Sequence, residues 1–71
     1  MPKKIAIMPR APVARILYAA GAKRVSAEAT EALAEVLTEY AERLSEQANK
    51  MAKHAGRKTI HDDDIKLAAR Q

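Results

Sequence analysis

The sequence predicts an all-α domain in which one long helix lies between two short ones. Apolar residues recur at intervals of three and four, the period of an amphipathic helix, in three segments at about residues 11–20, 26–55 and 61–70. Short connectors separate these segments, and the two glycines of the chain lie where the connectors begin: Gly21 directly before the first connector and Gly56 as the first residue of the second. Because glycine readily adopts the left-handed conformation that ends many helices, these positions mark where the first two helices stop.

The first helix follows a basic segment. Residues 1–8, which include Lys3 and Lys4, are predicted to be a flexible arm, and residues 9–71 to be the helical domain. Pro12 falls in the first turn of the helix, where its missing N–H group costs no hydrogen bond. The apolar positions of this helix lie at i, i+3, i+4 and i+7: Val13, Ile16, Leu17 and Ala20.

The second helix carries two stripes on nearly opposite sides and begins at a predicted cap, Ser26. The apolar stripe consists of Leu33, Val36, Leu37, Tyr40, Leu44, Ala48 and Met51. The acidic stripe consists of Glu28, Glu31, Glu35, Glu39, Glu42 and Glu46. At about 1.5 Å per residue this helix is on the order of 40 Å long. Two short helices cannot cover an apolar stripe of that length, so a partner chain is expected to cover it.

The third helix is predicted to start after Thr59, with Thr59 and Asp62 forming a capping box. The three consecutive aspartates that begin at Asp62 suit the positive end of the helix dipole. Ile65, Ala68 and Ala69 are predicted to face inward. Leu67 lies off that stripe, and from the residues alone it is either part of a second interface or a single exposed leucine.

The charge distribution points to a polyanionic partner. The chain has a net charge of +4, with +6 in residues 1–24, −5 in residues 25–49 and +3 in residues 50–71. Such a basic–acidic–basic chain can fold with both basic ends on one surface, which is the pattern of a nucleic-acid-binding protein. The acidic stripe would then point away from the nucleic acid.

Several other classes of protein are not expected. The chain has no cysteine, no apolar run of membrane-spanning length, no paired nucleophile and base, and no glycine-rich phosphate loop. His54 and His61 flank the three aspartates, but consecutive aspartates point in three directions on a helix, so no metal site is predicted. The expected protein is intracellular and soluble, has no cofactor, catalyses no reaction and depends on association for stability.

Both connectors combine cations with a β-branched residue beside a helix start. They are Ala22-Lys23-Arg24-Val25 and Gly56-Arg57-Lys58-Thr59-Ile60. Together with Ala11-Pro12-Val13, Arg15-Ile16, AAGAKRVS at residues 19–26 and HAGRKTIHDDDIKLA at residues 54–68, they make the chain resemble the archaeal histones. The resemblance extends over nearly the whole chain from Pro9 onward.

This resemblance implies a histone fold in which two chains clasp head to tail as a handshake homodimer. It also implies binding, wrapping and compaction of double-stranded DNA without sequence specificity, on the chromosome in the archaeal cytoplasm, with dimers joining into tetramers or filaments. Pairing with paralogous histones as a heterodimer is a further possibility that the family offers. The implied DNA contacts are Arg15, Lys23, Arg24, Lys58 and Thr59, with Arg24 in the minor groove beside Thr59 of the partner subunit.

The resemblance assigns structural roles as well. Arg57 and Asp64 are expected to form an intrachain ion pair, and Gly21 to allow close stacking of successive filament turns. The implied dimer core consists of Leu33, Val36, Leu37, Tyr40, Leu44 and Ala48. The implied dimer–dimer interface consists of Met51, His54, Asp64 and Leu67, with His54 bonding Asp64 across it. An ordinary surface histidine stays open as the alternative for His54, whose interface role is favoured only through the resemblance.

Two other functional classes stay open. A sequence-specific regulator of the ribbon–helix–helix type could use residues 4–8 as its strand, although Pro9 and the long central helix argue against it. A histone-fold subunit that binds another chain and little DNA is the third class, and the basic connectors argue against it. Departures from the usual family pattern include the long basic arm, Arg10, Lys23 and Ala69.

Overall fold

The computed structural model describes residues 8–70, which form three helices: α1 (Arg10–Ala19), α2 (Ala27–His54) and α3 (Asp62–Ala69). The short–long–short order and the all-α class follow the prediction, and each helix end lies within one residue of the predicted one. Apart from Met8, the predicted basic arm lies outside the described residues. Within residues 8–70, each helix is too short or too polar to span a bilayer.

The two glycines end α1 and α2 in the same way. Gly21 has a φ of 112°, its N–H donates to the Tyr18 carbonyl at 3.0 Å, and the Ala22 N–H donates to the Leu17 carbonyl at 3.2 Å. This pair of hydrogen bonds satisfies carbonyls that the end of a helix leaves open. An equivalent pair of backbone hydrogen bonds closes α2 around Gly56, whose φ is 74°. Both predicted stops therefore depend on a backbone conformation that favours glycine.

The helix starts agree with the sequence at α2 and differ at α3. The Ala29 N–H donates to the Ser26 Oγ at 3.0 Å, so Ser26 caps α2. The predicted capping box of Thr59 and Asp62 is wrong, because the N-cap of α3 is His61 and its N–H donates to the Asp64 carboxylate at 2.8 Å. Asp64, the third of the three consecutive aspartates, occupies the N3 position. A carboxylate at N3 can accept a hydrogen bond from the backbone N–H of the N-cap residue.

Two compact units divide the chain between Glu39 and Tyr40, within α2. In the first unit the buried residues are Val13, Thr30, Ala34 and Thr38. In the second unit they are Ala48, Ala52, Asp64 and Ala68. The Thr38 hydroxyl donates to the Ala34 carbonyl at 2.7 Å, so its burial leaves no unpaired donor. None of the large side chains among the described residues is fully buried, and the core is built from small ones.

The large apolar residues of α2 lie on a face that the chain itself covers only in part, with three leucines half-buried and two other residues exposed. We call Leu33, Val36, Leu37, Tyr40 and Leu44 the outer apolar face. Val36 is 58% exposed and Tyr40 is 48% exposed. Ala48, which the sequence placed with this stripe, is 0% exposed and belongs to the buried core of the second unit. Its assignment to the dimer core stays a prediction.

The inward face of α3 also differs from the prediction. Asp64 and Ala68 are buried, whereas Ile65 and Ala69 are exposed. The buried carboxylate takes the place of an apolar side chain because it is bonded on two sides by its own chain, as described below. Ala68 is thus the one member of the predicted inward stripe of α3 that the described structure buries.

Candidate nucleic-acid interface

Loop 1, residues 20–26, presents two adjacent cations between two fixed helix ends. Gly21 closes α1 and Ser26 caps α2, which leaves a short segment anchored at both sides. Lys23 and Arg24 in this segment are exposed, and Val25 is half-buried. An open groove of about 540 Å³ lies beside the loop and is lined by Leu17, Ala22, Arg24, Val25, Ser26 and Ala29. The loop therefore offers cations on a short, anchored backbone.

Loop 2, residues 55–61, is held to α3 by Arg57. The Arg57 guanidinium donates to both Asp64 oxygens, from Nη1 at 2.9 Å and from Nη2 at 3.0 Å, and Nη1 also donates to the Thr59 carbonyl at 3.0 Å. A guanidinium held by two parallel bonds to a carboxylate is well fixed in orientation. Arg57 is thus occupied within its own chain, and Lys58 and Thr59 are the exposed polar side chains that follow it.

The surroundings of Asp64 strongly favour its charged form. The hydrogen bonds from Arg57 have the largest effect and the His61 backbone N–H the next, and together they lower the pKa of Asp64 from 3.8 to about 2. Burial works in the opposite direction but is outweighed. The same hydrogen bonds raise the pKa of Arg57 above its ordinary value. The pair is therefore fully ionised at neutral pH and ties loop 2 to α3.

This pair predicts how stability depends on pH. Because the folded-state pKa of Asp64 lies below its unfolded value, its contribution is fully present above about pH 4 and is lost as the pH falls toward about 2. Asp64→Asn should lower the midpoint of urea unfolding at neutral pH more than either of the other aspartate-to-asparagine changes in α3. The difference from the unsubstituted protein should shrink between about pH 4 and about pH 2.

The matched control is Asp63→Asn, which removes an exposed charge from the same turn. Its unfolding midpoint should stay close to that of the parent protein across the whole pH range, since exposed charges contribute little to stability. A gap between Asp64→Asn and the parent that stays constant from pH 7 to pH 2 would show that the carboxylate charge is not what stabilises the loop.

The remaining predicted site residues fall into two groups. Arg15 and Gly21 are exposed in the first unit, on α1 and directly after it. In the second unit His54 and Leu67 are exposed and Met51 is half-buried, so these three side chains are accessible to a partner. Asp64 is 4% exposed, and both of its oxygens already accept hydrogen bonds from its own chain. A contact from His54 of a neighbouring subunit would have to use the remaining capacity of that carboxylate.

One ion pair in the first unit was not anticipated from the sequence. Arg10, noted only as a departure from the family pattern, lies 3.7 Å from the Glu31 carboxylate and donates to the Met8 carbonyl at 3.1 Å. Both side chains are about half exposed, so the pair contributes little to stability. The sequence did hold a signal for this ion pair, because a cation at the start of α1 faces the acidic first turns of α2.

The acidic side chains of α2 lie outside both loops. These glutamates follow one face of that helix, and most of them are exposed. No group of three or more possible metal ligands among residues 8–70 is arranged to hold an ion. Exposed cations on two anchored loops are suited to the phosphate backbone of a nucleic acid.

Comparison with known proteins identifies the family. The family profile described as histone-like transcription factor (CBF/NF-Y) and archaeal histone matches residues 6–69. One of the subunits of archaeal histone HAN1 from Thermococcus zilligii is 47% identical over 66 residues, which cover 93% of this chain and 98% of that protein. The resemblance seen in the sequence and the all-α histone fold are thereby confirmed, and the protein is structural rather than an enzyme. The chain therefore belongs to the archaeal histone and histone-like transcription factor family, whose members are DNA-binding chromatin proteins built on histone-fold dimers.

Proposed function

We propose that this histone packages double-stranded DNA without reading its sequence. Dimers bind the duplex, wrap it and add along it to form tetramers or longer filaments. The observation that carries the proposal is the pair of anchored basic loops, in which Lys23, Arg24 and Lys58 are exposed. Cations on phosphates and arginine in a minor groove give affinity through the DNA backbone and its shape.

The composition of the exposed surface supports binding without base readout. Asparagine and glutamine, which read adenine in the major groove, occur only as Gln47, Asn49 and Gln71, and none of these lies in either loop. Phosphate contacts position a protein on DNA but carry no sequence information. Any preference for particular DNA sequences should therefore follow the bendability of the DNA. Flexible base-pair steps should be favoured where the minor groove narrows.

The two loops are proposed to meet in a homodimer. The outer apolar face of α2 is partly exposed in the single chain and would be covered by a second copy in a head-to-tail handshake. Loop 1 of one chain would then lie beside loop 2 of the other, with Arg24 and Val25 forming a short parallel bridge with Thr59 and Ile60 of the partner subunit. The partial exposure of Ile60 at 40% supports this pairing.

A second arrangement is a heterodimer with a related histone. The relative from Thermococcus zilligii is named as one subunit of its histone. The term subunit favours a partner chain that differs from it in sequence. Native mass spectrometry of the purified chain separates the two arrangements. A folded dimer of this chain alone supports the homodimer, whereas an unfolded or monomeric chain that folds only with a second histone supports the heterodimer.

Folding of the homodimer should depend on protein concentration. The described core is made mainly of alanine and threonine, and such small side chains bury little apolar surface. Each tenfold rise in concentration should stabilise a dimer that unfolds to separate chains by about 1.4 kcal/mol. The thermal midpoint, followed by circular dichroism over two decades of concentration, should therefore rise by several degrees per decade. A midpoint independent of concentration would mean that the chain folds alone.

Nuclease protection tests the packaging function directly. Mixed-sequence plasmid DNA would be digested with micrococcal nuclease in the presence of the protein, at low and moderate salt. A ladder of protected fragments that grows in equal steps is expected, because dimers add along the wrapped duplex through Met51, His54 and Leu67, with Gly21 allowing successive turns to stack. No protection, or one protected site that resists competition by unrelated DNA, would favour a partner-binding subunit or a regulator instead.

A further inference from the structure

Tyr18 is an aromatic residue on α1 that neither the fold nor the proposed DNA contacts use. Tyr18 is 50% exposed, which leaves it accessible to a partner outside the chain. A phenol hydroxyl can donate one hydrogen bond and normally does so when a partner is available. The position of Tyr18 on α1 indicates what that partner is.

The orientation of α1 fixes which way Tyr18 points. Val13 is 2% exposed and defines the inner side of the helix. Five residues later, at about 100° per residue, Tyr18 stands well away from that side. The main chain at Tyr18 is also held, since its carbonyl accepts the Gly21 N–H at 3.0 Å. The tyrosine is therefore kept on the outer surface at the end of α1.

Arg15 shares this outer surface. Residues three apart on a helix are neighbours, with Cβ atoms about 5–6 Å apart, so the Tyr18 ring lies beside the Arg15 side chain. Both are exposed, and the four residues that follow Tyr18, which are Ala19, Ala20, Gly21 and Ala22, have side chains too small to cover the ring. The two exposed cations of loop 1, Lys23 and Arg24, follow these residues directly. Along the chain, Tyr18 thus lies between a proposed phosphate contact, Arg15, and the proposed groove contact, Arg24.

We propose that Tyr18 is a further DNA-binding residue, whose hydroxyl donates a hydrogen bond to a phosphate of the strand that Arg15 contacts. This inference rests on the proposed packaging function and adds to it a neutral contact. Such a contact differs from the cationic ones in a measurable way. A hydroxyl displaces no condensed counterion, so it adds affinity without changing the salt dependence of binding.

The test compares Tyr18→Phe, which removes only the hydroxyl, with the parent protein on a labelled mixed-sequence duplex by fluorescence anisotropy. A dimer carries two such residues, so affinity should fall by about tenfold. The slope of log affinity against log salt should stay as in the parent. Arg15→Ala should reduce that slope by about 2 per dimer, since two phosphate contacts are lost.

Two controls isolate the hydroxyl. Ser45→Ala removes an exposed hydroxyl from α2 and should leave DNA affinity unchanged. The thermal midpoint of Tyr18→Phe should equal that of the parent, because the ring keeps its place. If the parent binds DNA and Tyr18→Phe binds equally well, the proposal for Tyr18 is overturned and the packaging function stands. If the parent itself does not bind the duplex, the packaging function fails first.

Discussion

Val36→Asp is expected to abolish the folded dimer. Val36 lies in the middle of the outer apolar face and is 58% exposed in the single chain, so a partner is needed to cover it. Placing an unpaired carboxylate in that contact costs about 3–5 kcal/mol for each chain. Two copies meet in the dimer, and the total rivals the roughly 5–15 kcal/mol by which a typical domain is stable. Circular dichroism should show loss of most helical signal, and sedimentation should show monomers.

The matched control for this experiment is Asn49→Asp, which adds the same charge to α2 at an exposed position outside the outer apolar face. Its effect should stay within about 0.5 kcal/mol, as for ordinary surface substitutions. A Val36→Asp protein that remains a helical dimer would place the dimer contact on another surface and would remove the support for a handshake.

Arg24→Ala is expected to have the largest effect on DNA binding of any single substitution in the loops. Hydrogen bonds to charged groups contribute about 1.5–3 kcal/mol each, and a dimer loses two, so affinity should fall by about a hundredfold or more. The slope of log affinity against log salt should decrease by about 2 per dimer. Fluorescence anisotropy over a series of salt concentrations measures both quantities.

Two further variants separate a groove contact from simple charge. Lys66→Ala removes the same charge from an exposed site on α3 and should weaken binding only slightly. Arg24→Lys keeps the charge and should keep the salt slope, yet lose part of the affinity, because a compact ammonium group does not reproduce the planar guanidinium. If Arg24→Ala and Lys66→Ala lose the same amount of DNA affinity, Arg24 is an ordinary solvated surface cation. That result would argue against loop 1 as the DNA interface.

Features that depend on local chain chemistry could be read from the sequence. The ends of α1 and α2 follow from Gly21 and Gly56, because positive φ is favourable for glycine at almost any site. Ser26 caps α2 because its side chain reaches only its own helix start. The three helices follow from apolar periodicity, and the family follows from loop motifs that lie close together in the chain.

Features that depend on which groups meet in space could not be read in this way. Each of the three aspartates could cap α3, and the structure selects Asp64 because it can bond the His61 N–H and Arg57 at once. The sequence alone offered Thr59 and Asp62, which have the same spacing. Only the approach of Arg57 from loop 2 distinguishes between these alternatives.

The sequence by itself determined that α2 has one strongly apolar side, and only the tertiary structure decided what covers its other sides. Periodicity is dominated by large side chains, so it marked the outer apolar face, which a partner chain was predicted to cover. The chain instead buries small residues such as Ala34 and Ala48, which are 0% exposed. Close approach between helices selects small side chains, and these carry a weak signal in the sequence. The large residues are left partly exposed in the single chain, which is why a partner chain is proposed to cover them.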